Sequence, residues 1–234
     1  MVPAVGTLHH RRGFPAHVDA LAREVEEYNP VWLVLVLIPV AYFLGTFPSA
    51  LLVARAGGHD VLHEGSRNPG ASNVARLMGW KAGLAVLVAD FAKGAIAAGV
   101  GLGLDGHRGA YILGVAAIAG HMLPVTRRFK GGKGVATGGG VLVVLFPVIV
   151  VCLGVVWFVV ARVLKKASIA SLVIAIAFPL AVWLTGHSTL DIAVVSALAV
   201  VVISRHAGNL RRLVRGEEHG LGDSVGGGAD SAPG

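Results

Sequence analysis

Six apolar runs follow one another along the chain, at about 31–54, 83–104, 109–126, 134–162, 168–186 and 190–205. Polar, glycine-rich or basic segments separate them. A helix that crosses the hydrocarbon of a bilayer needs about 20 apolar residues. Most of the runs fit or nearly fit one such helix each. The run 134–162 is long for one span, and Pro147 lies near its middle, where proline breaks or kinks a helix. It reads either as one kinked helix or as a hairpin turning at Phe146–Pro147. The pattern predicts an all-α integral membrane protein.

Charge placement favours the hairpin. Lys and Arg of short loops collect on the cytoplasmic side of a membrane. Four basic groups separate the runs: Arg55, Arg67, Arg76 and Lys81; Arg127, Arg128, Lys130 and Lys133; Arg162, Lys165 and Lys166; Arg205, Arg211, Arg212 and Arg215. Only the hairpin places all four on one face. It gives a seven-transmembrane-helix bundle with the N-terminus out and the C-terminus in. Its first arm, about 134–146, reaches roughly 20 Å at the helical rise. That arm is expected to be a partial span shielded by its neighbours.

Composition narrows the class further. Of 234 residues, 55% are hydrophobic and 14% charged, with a net charge of +7. Soluble domains carry roughly 25% charge, so this chain lacks the polar surface to coat a soluble globule. Mean hydropathy of +0.73 excludes a disordered chain as a whole. The single cysteine, Cys152, excludes a disulfide framework and a cysteine zinc site. A pI near 10.1 invites a nucleic-acid reading. The basic residues instead alternate with apolar runs and no aromatic platform accompanies them, so no nucleic-acid partner is expected.

Residues 1–30 mix basic and acidic side chains too far from the first apolar run to form a signal peptide. They read as a polar N-terminal tail. Residues 31–215 read as the transmembrane domain. Residues 216–234, rich in Gly, Ser, Asp and Ala, read as a disordered cytoplasmic tail.

Three of the polar segments carry chemistry. The first is Gly65-Ser66-Arg67-Asn68-Pro69-Gly70-Ala71-Ser72-Asn73, with Arg76 beyond it. Glycine lets backbone approach a ligand closely. Successive N–H groups form an anion-binding nest, and an arginine fork suits phosphate. The same residues also suit a plain turn. The second is Phe129-Lys130-Gly131-Gly132-Lys133-Gly134-Val135-Ala136-Thr137. It is not a Walker A loop, which needs Ser or Thr directly after its Lys. Its glycines open onto a helix start where dipole and lysines favour an anion. The third is split between Ser168, Ser171 and the segment Arg205–Leu213, where His206 and Asn209 share a helix face. A ligand role and an interfacial role are both open for His206.

Asp90 and Lys93, three apart inside a span, read first as a structural ion pair. Glu217 and Glu218 read as structural partners of Arg211 or Arg215. No metal spacing, nucleophile elbow or His-x4-Asp box is present. Catalysis, if any, is expected to rest on positioning and electrostatics, without a cofactor.

Taken together, these segments resemble the bacterial membrane acyl-phosphate:glycerol-3-phosphate acyltransferases, the PlsY family. The matching segments are Gly45–Ser49, Gly65–Asn73 with Arg76, Asp90–Gly94, Gly120-His121 with Pro124, Phe129–Thr137, Ser168 with Ser171, and His206, Asn209, Arg212 and Leu213 with Gly216-Glu217. Any one is weak, but they stand in the family's order across about residues 40–218. Two positions depart from the family pattern: Arg67 stands where glycine is usual, and Leu62 where a basic residue is usual.

The resemblance implies a seven-helix bundle in the bacterial inner membrane with its site at the cytoplasmic face. It implies acyl transfer from acyl phosphate to the 1-hydroxyl of sn-glycerol 3-phosphate, giving lysophosphatidic acid and phosphate. Ser66, Asn68, Ser72 and Ser171 are expected to line the phosphate site. Arg76, Lys133, His206 and Asn209 are expected to hold and polarise the substrates. Ser66, Lys133, His206 and Asn209 are thus the candidate catalytic residues. Ser49, Asn68, Ser72, Asn73, Arg76, Gly131, Gly132 and Ser171 are the candidate substrate-binding residues. The competing reading is a membrane transporter of a phosphorylated or anionic solute. Against it, no broken-helix pair recurs in matching halves.

Overall fold

The structure is a computed structural model that describes residues 31–221. The polar tail expected over 1–30 and most of that over 216–234 lie outside the described residues. Every regular element within them is helical. In order these are α1 (Val31–Thr46), α2 (Ser49–Ala56), α3 (Ala71–Met78), α4 (Trp80–Met122), a short 3-10 turn at Val125–Arg127, α5 (Val135–Leu145), α6 (Pro147–Leu164), α7 (Ala167–Leu184), α8 (Thr189–Arg205) and α9 (Ala207–Val214).

Among the described residues four stretches are long and apolar enough to cross a membrane: Val31–Ala56, Trp80–Arg127, Pro147–Leu164 and Ala167–Leu184. The pair α8 and α9, bent by 54° at His206, makes a fifth if taken as one span. Large apolar side chains such as Val148, Val155, Phe158, Ile176 and Trp183 are exposed on the outer faces, as suits helices whose solvent is lipid.

Helix α4 does not run straight. Asp105 (φ −143°) and Gly106 (φ 56°) leave the helical region, and the chain doubles back there. A Cβ at Gly101 would strike the Gly109 carbonyl, and Asp90 lies 3.6 Å from His121, near the other end of the helix. The two arms, about 80–104 and 107–122, therefore lie antiparallel. They correspond to the separate apolar runs of the sequence. Small residues let the arms approach their neighbours closely. A side chain at Gly45 would meet the Ala117 carbonyl, one at Gly120 the Tyr42 carbonyl, one at Gly94 the Thr137 carbonyl, and one at Gly140 the Phe91 carbonyl. Such small-residue contacts are how membrane helices gain packing where no hydrophobic driving force acts between them.

The run 134–162 breaks where proline predicts. Helix α5 ends at Leu145, Phe146 takes φ −136°, and Pro147 opens α6. The far ends of both arms return to one region, since Lys133 and the residues after Lys165 converge on Glu218. At the turn Phe146 is buried, packed against Phe178 and His187, while Pro147 is exposed.

The end of the folded unit differs from the expected boundary at 215. Gly216 (φ 73°) ends α9 in a left-handed turn, the usual helix stop. The chain then continues as packed structure through Leu221. Glu218 is buried, and its partner is Arg212, neither Arg211 nor Arg215. Averaged over 216–234, a Gly- and Ser-rich composition hid one buried acid.

Candidate active site

The loop before α3 is built around one side chain. Asn73 is buried, and its Oδ1 accepts the Ser66 N–H at 2.8 Å. Its Nδ2 donates to the carbonyls of Val61 and Glu64, both at 3.1 Å. Gly65 (φ 56°) sits tight against that amide, where a Cβ would collide with Asn73 Oδ1. Asn73 thus folds the loop that carries Ser66, Asn68 and Ser72.

The loop before α5 is pinned by its carbonyls and by one amide. Gly132 N–H donates to the His121 carbonyl at 3.1 Å. The Arg205 guanidinium donates to the carbonyls of Met122, Gly131 and Gly132 at 3.2–3.4 Å. A side chain at Gly132 would run into the His121 ring. Gly134, at φ 82°, caps α5. Lys133 between them faces the cavity described below. Burial pushes its ammonium down to about 8, while nearby Glu218 favours the charged form and Arg212, Arg76 and Arg205 oppose it.

The third wall comes from α7, α8, α9 and the segment after α9. His206 is buried at the α8–α9 bend, and its Nδ1 lies 2.8 Å from the Val202 carbonyl. A carbonyl only accepts, so in the neutral ring Nδ1 carries the proton and Nε2 keeps its lone pair. Glu218 gathers its neighbours: Ser168 Oγ donates to Oε1 at 2.7 Å, Asn209 Nδ2 to Oε1 at 2.6 Å, and Arg212 Nε to Oε2 at 2.9 Å. Burial raises the affinity of this carboxyl for a proton, but the three donors outweigh it and hold it below the ordinary range. Ser171 Oγ donates to the Ala167 carbonyl and accepts from Trp157 Nε1.

Together these walls enclose a cavity of about 880 Å³. Ser66, Asn68, Ser72, Asn73, Arg76, Lys133, Ser171, His206 and Asn209 all line it. Its other part runs between α4, α6 and α7 along Leu87, Phe91, Leu153, Ile174 and Phe178. One end is therefore cationic and hydrogen-bonding, and the other apolar.

Three candidates do not line the cavity. Ser49 is taken up in a buried network below the site: its Oγ donates to Asp90 Oδ1 at 2.5 Å and accepts from Lys93 Nζ at 3.1 Å. Lys93 pairs with Asp90 at 2.6 Å and also caps the Phe47 carbonyl at 2.7 Å, beside the helix break at Phe47–Pro48. This agrees with a structural ion pair, although Asp90 and His121 also reach the cavity wall. Gly131 and Gly132 are bound to Arg205 and His121. Conversely, Ser168, named in the third polar segment but not among the candidate residues, and Glu218, expected only as a structural partner, both line the cavity. Ser168 stands one turn before Ser171, a spacing that points to it. Among the described residues no group of three or more His, Cys, Asp or Glu side chains is placed to hold a metal ion.

Fold and cavity define an α-helical membrane protein whose polar loops close the end of an apolar internal groove. The profile of one family, glycerol-3-phosphate acyltransferase, matches residues 35–216. The chain belongs to this family of membrane acyltransferases, the PlsY family. It is 39% identical over 191 residues to the glycerol-3-phosphate acyltransferase of Bacillus cytotoxicus, covering 80% of this chain and 95% of that one. Against the enzyme of the same name from Methylococcus capsulatus it is 40% identical over 194 residues, covering 82% and 96%. The crystal structure of PlsY (YgiH), an integral membrane glycerol 3-phosphate acyltransferase, in its glycerol 3-phosphate form superposes with a TM-score of 0.77 at 34% identity. That match covers 81% of this chain and 96% of the other. Its lysophosphatidic acid form superposes with a TM-score of 0.74 at 34% identity, covering 80% and 94%.

Proposed function

We propose that this protein transfers a fatty acyl group from acyl phosphate to the 1-hydroxyl of sn-glycerol 3-phosphate. The products are lysophosphatidic acid and inorganic phosphate. The observation that carries this reading is the two-part cavity. Its cationic end, with Arg76 and Lys133, suits substrates that both bear phosphate, and its apolar end suits an acyl tail entering from the bilayer. The glycerol 3-phosphate and lysophosphatidic acid forms of the structurally similar PlsY support the acceptor and the product.

In the reaction, the glycerol hydroxyl oxygen bonds to the acyl carbon and the carbon–oxygen bond to phosphate breaks. The departing phosphate takes the hydroxyl proton. The donor is already activated, so the enzyme's task is proximity and charge stabilisation, each worth several kcal/mol. Ser66, Asn68, Ser72 and the backbone of their loop hold phosphate, with Arg76 as the fork. Lys133 neutralises charge developing on the acyl oxygen and the leaving group. His206 Nε2 accepts a hydrogen bond from the neighbouring 2-hydroxyl of the glycerol and so orients the attacking 1-hydroxyl, whose own proton stays free for the phosphate. Asn209, held by Glu218, fixes the same wall. Ser171 shapes the groove mouth through its bonds to Ala167 and Trp157.

In the membrane we propose seven traverses, counting both arms of α4 and the partial span α5. The N-terminus lies outside, and the C-terminus and the active site face the cytoplasm of a bacterial inner membrane. The basic loops and the antiparallel arms support this orientation. Residues 31–221 then form one acyltransferase domain.

Reconstituted protein tests the proposal. Phosphate release from acyl phosphate that depends on glycerol 3-phosphate supports it. Activity only with a thioester donor overturns the donor, and solute flux without turnover overturns the reaction class.

A further inference from the structure

The segment after α9 crosses the molecule to a part of the site far away in sequence. Four groups of bonds tie it down. Gly216 N–H donates to the Leu213 carbonyl at 3.2 Å and Glu217 N–H to the Arg212 carbonyl at 2.8 Å. Glu218 binds Ser168, Asn209 and Arg212. Leu221 N–H donates to the Lys165 carbonyl at 2.7 Å, at the turn between α6 and α7. Between these anchors, the Gly220 carbonyl accepts from Arg76 Nε at 2.7 Å and the His219 carbonyl from Arg76 Nη2 at 3.3 Å. Arg76 stands on α3, some 143 residues earlier.

We propose that residues 216–221 form a positioning strap that sets the Arg76 guanidinium for glycerol 3-phosphate. A long arginine side chain without fixed acceptors keeps most of its rotamer freedom, and ordering it costs free energy each time phosphate binds. Two carbonyl bonds at different nitrogens fix the plane of the guanidinium before the ligand arrives. The carbonyls are neutral acceptors, and they set the direction of the guanidinium. The strap is held by α7, α9 and the α6–α7 turn, so it also ties the first loop of the site to the last. This inference rests on the reading of Arg76 as the phosphate fork.

The test uses the full chain in lipid nanodiscs. Leu221→Pro removes the amide that anchors the strap to Lys165. KM for glycerol 3-phosphate is expected to rise about tenfold, with kcat changed less than about twofold. In an Arg76→Lys background the same change is expected to add less than about twofold, because the rotating ammonium of Lys has no planar fork for the strap to orient. An unchanged KM, or an equal rise in both backgrounds, overturns the strap. A second measurement does not depend on how Leu221→Pro folds or on acyl transfer. Coupling of binding is reciprocal, so inorganic phosphate is expected to slow hydrogen exchange over residues 216–221 in the unmodified protein and not in Arg76→Lys. Exchange indifferent to phosphate in the unmodified protein overturns the proposal. Loss of acyl transfer alone, with phosphate protection intact, refutes the proposed reaction and leaves the strap standing.

Discussion

Arg67 adopts φ 55° in the loop that carries Ser66 and Asn68. An L-residue there loses roughly 1–2 kcal/mol to contact between its Cβ and the backbone, which glycine avoids. The exposed side chain offers little in return. Arg67→Gly is therefore expected to stabilise the protein by about 1 kcal/mol, after allowing for the greater chain entropy of glycine. A higher midpoint in thermal unfolding in detergent is the readout. At Lys133 the consequence is in pH. Its folded-state value near 8 makes the charged form the majority below that pH, and deprotonation removes the charge as pH rises. Turnover is expected to fall through about pH 8, and Lys133→Arg, whose guanidinium stays protonated, is expected to move that descending limb upward. A pH profile with the same limb in both proteins refutes the assignment. Lys133→Ala is expected to lose most of kcat.

Among the helices, the closest approaches decide what the sequence tolerates. A methyl at Gly140 points into the Phe91 carbonyl, and backbone cannot give way as a side chain can. Gly140→Ala is expected to cost about 1–3 kcal/mol by overpacking. Ala at Gly99, which has open space around it, is the matched control expected to show no such loss. The elements themselves were largely legible in sequence. The Pro147 break follows from proline's missing donor and from the basic groups on either side, and both α4 arms appeared as separate apolar runs. The short helix α3 and the split at Phe47–Pro48 had no periodic signal of their own. The site was partly legible: the loops announced themselves by glycine and charge, and nine of the twelve candidate residues share one cavity. Partner choice was not. Ser49 is claimed by Asp90, 41 residues away, and the carbonyls of Gly131 and Gly132 by Arg205. No local pattern specifies such distant pairings.

For the whole molecule, the proposed orientation makes opposite ends of the bundle chemically distinguishable. Cys152 is the single thiol of the sequence, so Cys152→Ser leaves a thiol-free background. Lys130→Cys in that background is expected to react with a membrane-impermeant maleimide only in inside-out vesicles, and His187→Cys only in right-side-out ones. Labelling of both positions from one side overturns the seven-traverse arrangement.

The route of residues 216–221 also has a consequence for how the protein is made. The first loop of the cavity leaves the ribosome early, yet the carboxylate that holds Ser168, Asn209 and Arg212 emerges only after α9. Insertion of the helices and completion of the site are therefore separate events in time. A chain released before Glu218 is expected to enter the bilayer with its spans in place and no turnover. Until that carboxylate arrives, the inserted bundle is catalytically silent.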